Sequence, residues 1–305
     1  MYGPSDRAES IATIHAALDA GVTLLDTGDF YGSGHNELLI GEALRGRKRE
    51  DALISVKFGG MRDPAGGFTG YDARPAAVKN FLTYTLVRLG VDHVDVYRPA
   101  RLDRNVPIED TVGAIAELVQ AGYVRYIGLS EMGAETIRRA NAVHPIVDLQ
   151  IEYSLLSRGI EDTILPACRE LGIAITAYGV LSRGLIGGTW TKESSGARDF
   201  RLHSPRFQGG NLERNLALVE ALRRIADTKG LTVAQIALAW VLQCGDDVVA
   251  LIGSRTRKQL TDSLGALDVR LDASDLAAIE AAIPKGAAAG DRYAAEQMRQ
   301  LDSER

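Results

Sequence analysis

Residues 22–31 read VTLLDTGDFY, an apolar run that turns abruptly polar. The run Val22-Thr-Leu-Leu-Asp26 does not alternate, and a strand apolar on both faces suits a parallel sheet covered by its crossover helices. Upstream, Ile11, Ile14, Ala17 and Leu18 share one helix face within Ser10–Ala20, and Gly21 supplies the stop. The same alternation recurs downstream. Strands are predicted at 52–57 (ALISVK), 94–98 (VDVYR), 124–129 (VRYIGL), 147–152 (VDLQIE), 173–178 (IAITAY) and 247–252 (DVVALI). Helices are predicted between them at 36–46, 75–89, 109–121, 133–143 and 159–171. The expected fold is α/β, a (β/α)8 barrel of the TIM type, with only seven parallel strands recognisable.

A chain of 305 residues, 46% hydrophobic and 25% charged, has the size and core of one such domain, and no linker or repeat argues for a second. Thirty-five basic against forty acidic residues give a net charge of -5, which favours neither nucleic acid nor an anionic membrane as partner. The start MYGPSDRAES lacks the basic flank and apolar run of a signal peptide, and a cytoplasmic location is expected. Cys168 and Cys244 form no CxxC or Cys/His cluster, so two reduced thiols are expected rather than a disulfide or a metal site. The Gly/Ser/Arg-rich stretch 182–211 leaves a strand end and reads as a lid-like loop. Helices follow near 212–229, 232–244 and 273–283, the second opened by Thr232 and Gln235 at capping-box spacing. Residues 284–305 read as a charged, solvated tail.

Asp26 ends one strand and Lys57 occupies the equivalent place in the next, so adjacent parallel strands would bring them to one face as an ion pair. Tyr31 lies on the loop that folds over that face. A phenol near an ammonium becomes a better proton donor, since the cation favours the phenolate. The same residues are also consistent with mutual neutralisation and ordinary packing, and spacing alone leaves both readings open. Gly32-Ser-Gly34 imitates the start of a dinucleotide fingerprint, but Glu37 stands where its third glycine belongs, and the glycines are expected to shape the Tyr31 loop.

The ordered set LLDTGDFYG, SVKFGG, IGLSE, LQIEYSLLSRG, AYGVLSRGL and IGSRTRKQLTDSLGAL resembles the aldo-keto reductases over almost the whole chain, and within them the branch of pyridoxal reductases and potassium-channel β subunits. The resemblance implies NADP(H) as cofactor and reduction of a small aldehyde or ketone, with Tyr31 as general acid adjusted by Lys57 and Asp26. It also implies that Ser130 and Gln150 bind the nicotinamide amide, with Tyr178 stacked on its ring. Gly253, Ser254 and Arg255 would hold phosphate, a role that helix-terminal N–H groups and a planar guanidinium fork suit independently. Gln259, Asp262 and Ser263 fall where the family recognises adenosine, Ser263 replacing the usual Asn. Ala100 stands at the family's usual histidine, flanked by Arg98 and Arg101, either of which is a candidate substitute electrophile. Family members have a hairpin and a Gly-rich strand ahead of this point, so the chain is expected to begin after the barrel's first strand. The alternative function is an NADP(H)-binding redox sensor with vestigial turnover; a Schiff-base role for Lys57 is disfavoured by Asp26 beside it.

Overall fold

The computed structural model describes residues 5–187 and 199–304. Seven parallel strands form one sheet, in which spatial neighbours follow chain order. They are β1 (Leu24–Gly28), β2 (Leu53–Phe58), β5 (Val94–Pro99), β6 (Val124–Ser130), β7 (Ile146–Glu152), β8 (Ala174–Tyr178) and β9 (Val248–Ala250). Between β2 and β5 an antiparallel hairpin, β3 (Gly60–Arg62) with β4 (Phe68–Tyr71), was not anticipated. Its signal was present in Pro64, Gly66 and Gly67, which are turn formers between two short runs.

The helices are α1 (Arg7–Asp19), α2 (His35–Ala43), α3 (Pro75–Leu89), α4 (Ile108–Gln120), α5 (Ala134–Val143), α6 (Ile164–Leu171), α7 (Gly209–Thr228), α8 (Val233–Leu242), α9 (Arg257–Leu264), α10 (Ala273–Ala282) and α11 (Ala295–Gln300). Two departures from expectation have local causes. Helix α1 starts three residues early because the Asp6 carboxylate accepts from Glu9 N at 2.8 Å and caps it. The helix expected over 159–171 breaks into a 3-10 turn at Gly159–Glu161 and α6, because Pro166 has no N–H to donate and is tolerated only in a first turn. The predicted capping box at Thr232 and Gln235 forms with both reciprocal bonds.

The sheet separates its side chains into two layers. On the helix side, Val56, Tyr97, Ile127, Leu149 and Ile175 are fully buried and apolar or aromatic. The opposite face is polar. Gln150 on β7 donates to Asp26 on β1, although β2, β5 and β6 lie between them in the sheet, so these side chains meet across the interior of a curled barrel. Glu9 on α1 accepts a paired contact from Arg257 on α9, tying together the helices beside the two edge strands; among the described residues β1 and β9 do not pair with each other.

The flanks of the expected lid are anchored: Ser182, Leu185, Ile186, Ser204, Arg206 and Phe207 are buried, and Arg206 donates to Ser157 at 2.7 Å and to Glu152 at 3.3 Å. The middle of that stretch, 188–198, lies outside the described residues. The C-terminal segment is anchored as well. Arg292 and Leu301 are buried, and Asp302 accepts from Gly133 N at 2.8 Å.

Candidate active site

Polar residues cluster where strands end, because each apolar run is terminated by a side chain that turns into the barrel mouth. The register aligns Asp26 with Ser55, Gly28 with Lys57 and Ser130 with Gln150. Lys57 Nζ and Asp26 Oδ1 form an ion pair whose two side chains are only 5% and 6% exposed. Buried charges of this kind persist only when their remaining valences are met. The second carboxylate oxygen accepts from Gln150 Nε2 at 2.7 Å and from the Ser55 hydroxyl at 3.0 Å. Lys57 Nζ lies 5.1 Å from the centroid of the Tyr31 ring. The loop carrying Tyr31 turns through three successive left-handed residues, Gly32, Ser33 and Gly34, so the glycines serve this turn rather than a dinucleotide fingerprint.

Ala100, at the expected histidine position, is 2% exposed. Of the two guanidiniums beside it, Arg98 does not reach the mouth. It is fully buried in the interior, donating to Asp148 Oδ2 and Ser55 Oγ, both at 2.9 Å, which corrects its candidacy as a substitute electrophile. Arg101 donates to Ala100 O at 2.6 Å and reaches Ser130 Oγ at 3.4 Å, so it stands beside the expected nicotinamide pocket.

Tyr178 has a partner set that no local motif announces. Its hydroxyl donates to Glu131 Oε1 at 2.7 Å and meets the Tyr293 hydroxyl at 2.9 Å. Burial, reinforced by the Glu131 charge, pushes the Tyr178 phenol well above its ordinary range, so it stays protonated. Glu131 is 0% exposed and sits at φ 52°, a conformation unusual for a side chain larger than glycine. Burial alone would push its carboxyl up. The Arg292 charge and its two bonds, at 3.0 and 2.8 Å, outweigh that, with help from Arg101 and Ser303, and hold it well below the usual carboxylate range.

The expected phosphate turn lies past β9. A Cβ built at Gly253 would meet nothing within 4 Å, so the turn is an open shelf with the exposed Arg255 side chain beside it. One of its N–H groups and the first of α9 are engaged: Arg255 N donates to Gln259 Oε1 at 2.9 Å, and Arg257 N to Glu9 Oε1 at 2.9 Å. Asp262 accepts from the Thr232 hydroxyl at 3.3 Å, and Ser263 is buried. Both cysteines are free thiols, and burial pushes that of Cys168 up to about 12, which removes it from nucleophilic chemistry. No group of three or more His, Cys, Asp or Glu suited to a metal occurs among the described residues, and no single helix there is long and apolar enough to cross a membrane.

The site is thus a seven-stranded parallel barrel sheet that carries a buried Lys–Asp pair beside a tyrosine at its mouth. The sequence matches the aldo/keto reductase family over residues 1–284, and the chain belongs to that family of oxidoreductases. Among curated relatives it is 44% identical over 292 residues to a probable aldo-keto reductase 1 of Glycine max, covering 95% of this chain and 84% of that protein. Among solved structures it resembles the glycerol dehydrogenase of Gluconobacter oxydans, with a TM-score of 0.83, 29% identity, and coverage of 99% of this chain and 89% of that one. It also resembles an aldo/keto reductase of Klebsiella pneumoniae in complex with NADP and acetate, with a TM-score of 0.72, 26% identity, and coverage of 91% and 86%.

Proposed function

We propose that the chain reduces an aldehyde or ketone to an alcohol with NADPH, Tyr31 giving the proton. The observation that carries this reading is the buried Asp26–Lys57 ion pair with the Lys57 ammonium 5.1 Å from the Tyr31 ring centroid. As the Tyr31 hydroxyl gives its proton to a carbonyl oxygen, the adjacent ammonium stabilises the negative charge left on the phenol oxygen. Asp26 fixes Lys57 at that place, and Gln150 and Ser55 fix Asp26. NADPH, when bound, would supply the hydride.

The residues present fit that cofactor. Ser130 and Gln150, paired in register at two strand ends, are placed to hold the carboxamide, and Tyr178, locked by Glu131 and Tyr293, presents a fixed ring face. The open turn at Gly253 and Ser254, with Arg255, suits the 2′-phosphate, and Gln259, Asp262 and Ser263 flank the adenosine position. Relatives holding NADP support the choice of cofactor. The motif set supports a place near the pyridoxal reductases and potassium-channel β subunits within the family.

The test is NADPH oxidation followed by absorbance across a panel of carbonyl compounds. Turnover stoichiometric with alcohol formed supports an enzyme; NADPH binding without turnover on any member would favour the redox-sensing alternative. Tyr31→Phe should lower kcat by about 10²–10⁴-fold, the range for a lost general acid, and leave NADPH affinity near wild type. Retention of more than about a tenth of kcat would assign the proton to another group.

A further inference from the structure

Beside the Lys57–Asp26 pair lies a further polar network, of which the mechanism above uses only the bond from Ser55 to Asp26. Arg98 on β5 donates from Nη1 to Asp148 Oδ2 on β7 at 2.9 Å and from Nη2 to Ser55 Oγ on β2 at 2.9 Å. Thr176 on β8 donates to the same Asp148 oxygen at 2.5 Å. Ser55, Arg98, Asp148 and Thr176 are all buried, so no solvent competes for these bonds. Gly128 leaves room for the pair: a Cβ there would stand 2.5 Å from Asp148 Oδ1 and 3.1 Å from Arg98 Nε.

The consequence lies in the direction of one proton. A serine hydroxyl rotates to suit its surroundings. Here its oxygen accepts from the Arg98 guanidinium, which has no acceptor to offer, so the hydroxyl hydrogen is turned to its other neighbour, Asp26 Oδ2, at 3.0 Å. We infer that Arg98, anchored by Asp148, is a positioning residue that fixes the Ser55 hydroxyl on Asp26 and so sets how much of the Asp26 charge is left to face Lys57 and Tyr31. The Arg98–Asp148 pair is neutral as a whole, so its influence runs through the hydroxyl it orients rather than through net charge. This inference rests on the reading of Tyr31 as proton donor.

Withdrawing the Ser55 bond leaves more uncompensated negative charge at Asp26, which opposes ionisation of the neighbouring phenol. The experiment compares wild type, Ser55→Ala, Arg98→Lys, the double replacement Arg98→Met with Asp148→Leu, and Tyr31→Phe. A buried pair exchanged as a unit for apolar residues commonly keeps the fold, so the double variant guards against loss by misfolding. In Ser55→Ala the fall of kcat at high pH should move upward by about one unit and kcat at neutral pH should drop about tenfold, the effect of one charge-assisted hydrogen bond. The double variant should move in the same direction by less, Arg98→Lys should restore part of the difference, and NADPH affinity should be unchanged throughout. Titration of phenolate absorbance, each protein less its Tyr31→Phe form, should carry the same displacement without turnover. A Ser55→Ala profile and titration superposable on wild type, beside an inactive Tyr31→Phe, would overturn the inference alone. A Tyr31→Phe enzyme with undiminished turnover would remove the proton donor, and the inference with it.

Discussion

Arg255 and Arg98 show how differently one residue type is used according to where the chain leaves it. Arg98 is sealed in the barrel interior and acts only through its neighbours, whereas Arg255 is exposed on the turn after β9. Arg255 N and Arg257 N are bonded to Gln259 and Glu9, and in the proposed function the 2′-phosphate is the ligand of the Arg255 side chain. Arg255→Leu should therefore weaken NADPH binding by about 10–100-fold, as expected for hydrogen bonds to a charged group, and barely alter NADH binding. Fluorescence titration with both cofactors checks this, and equal losses would exclude a 2′-phosphate contact. The strand-end residues Asp26 and Lys57 were legible because each interrupts an apolar run with a charge. Arg98 was legible only as a neighbour of Ala100, since nothing in VDVYR says which across-barrel partners await it.

At the scale of elements, the segment after α10 joins the site to the end of the chain. Arg292 forms two bonds to Glu131 and further contacts with Glu304, while Tyr293 meets Tyr178. Removing the guanidinium leaves a carboxylate buried without its main counter-charge. Arg292→Ala should thus destabilise the fold by about 3–5 kcal/mol and loosen the Tyr178 ring, raising the NADPH dissociation constant. Urea unfolding and cofactor titration measure the two effects, and unchanged values of both would make the tail dispensable. Composition suggested a solvated tail because the segment is charged. One of its charges, Arg292, is the complement of an acid 161 residues earlier, which no local pattern encodes.

Across the whole molecule, two buried acids shape stability in opposite directions. The Glu131 carboxyl is held below its unfolded value, so the stabilisation it gives is present above about pH 4 and is lost as the pH falls further. Asp29, beside the Tyr31 loop, is pushed up to about 7, chiefly by burial, against a bond from Gly59 N at 3.3 Å. Its folded state holds the proton more tightly than the unfolded chain, so stability declines as pH rises from about 4 to 7, by about 4 kcal/mol at most. Asp29→Asn should accordingly raise the Tm at pH 8 and change it much less at pH 5; equal shifts at both would show that Asp29 does not titrate in this range. The amino-acid sequence by itself determined the alternation of strands and helices, the seven-strand parallel sheet and the acid and base at two strand ends, because periodicity and strand termination are local properties of the chain. Only the tertiary structure decided that Arg98, Ser55 and Asp148 form an inner layer and that Arg292 caps Glu131, because closing a sheet into a barrel brings distant strands face to face across a lumen that no local pattern describes.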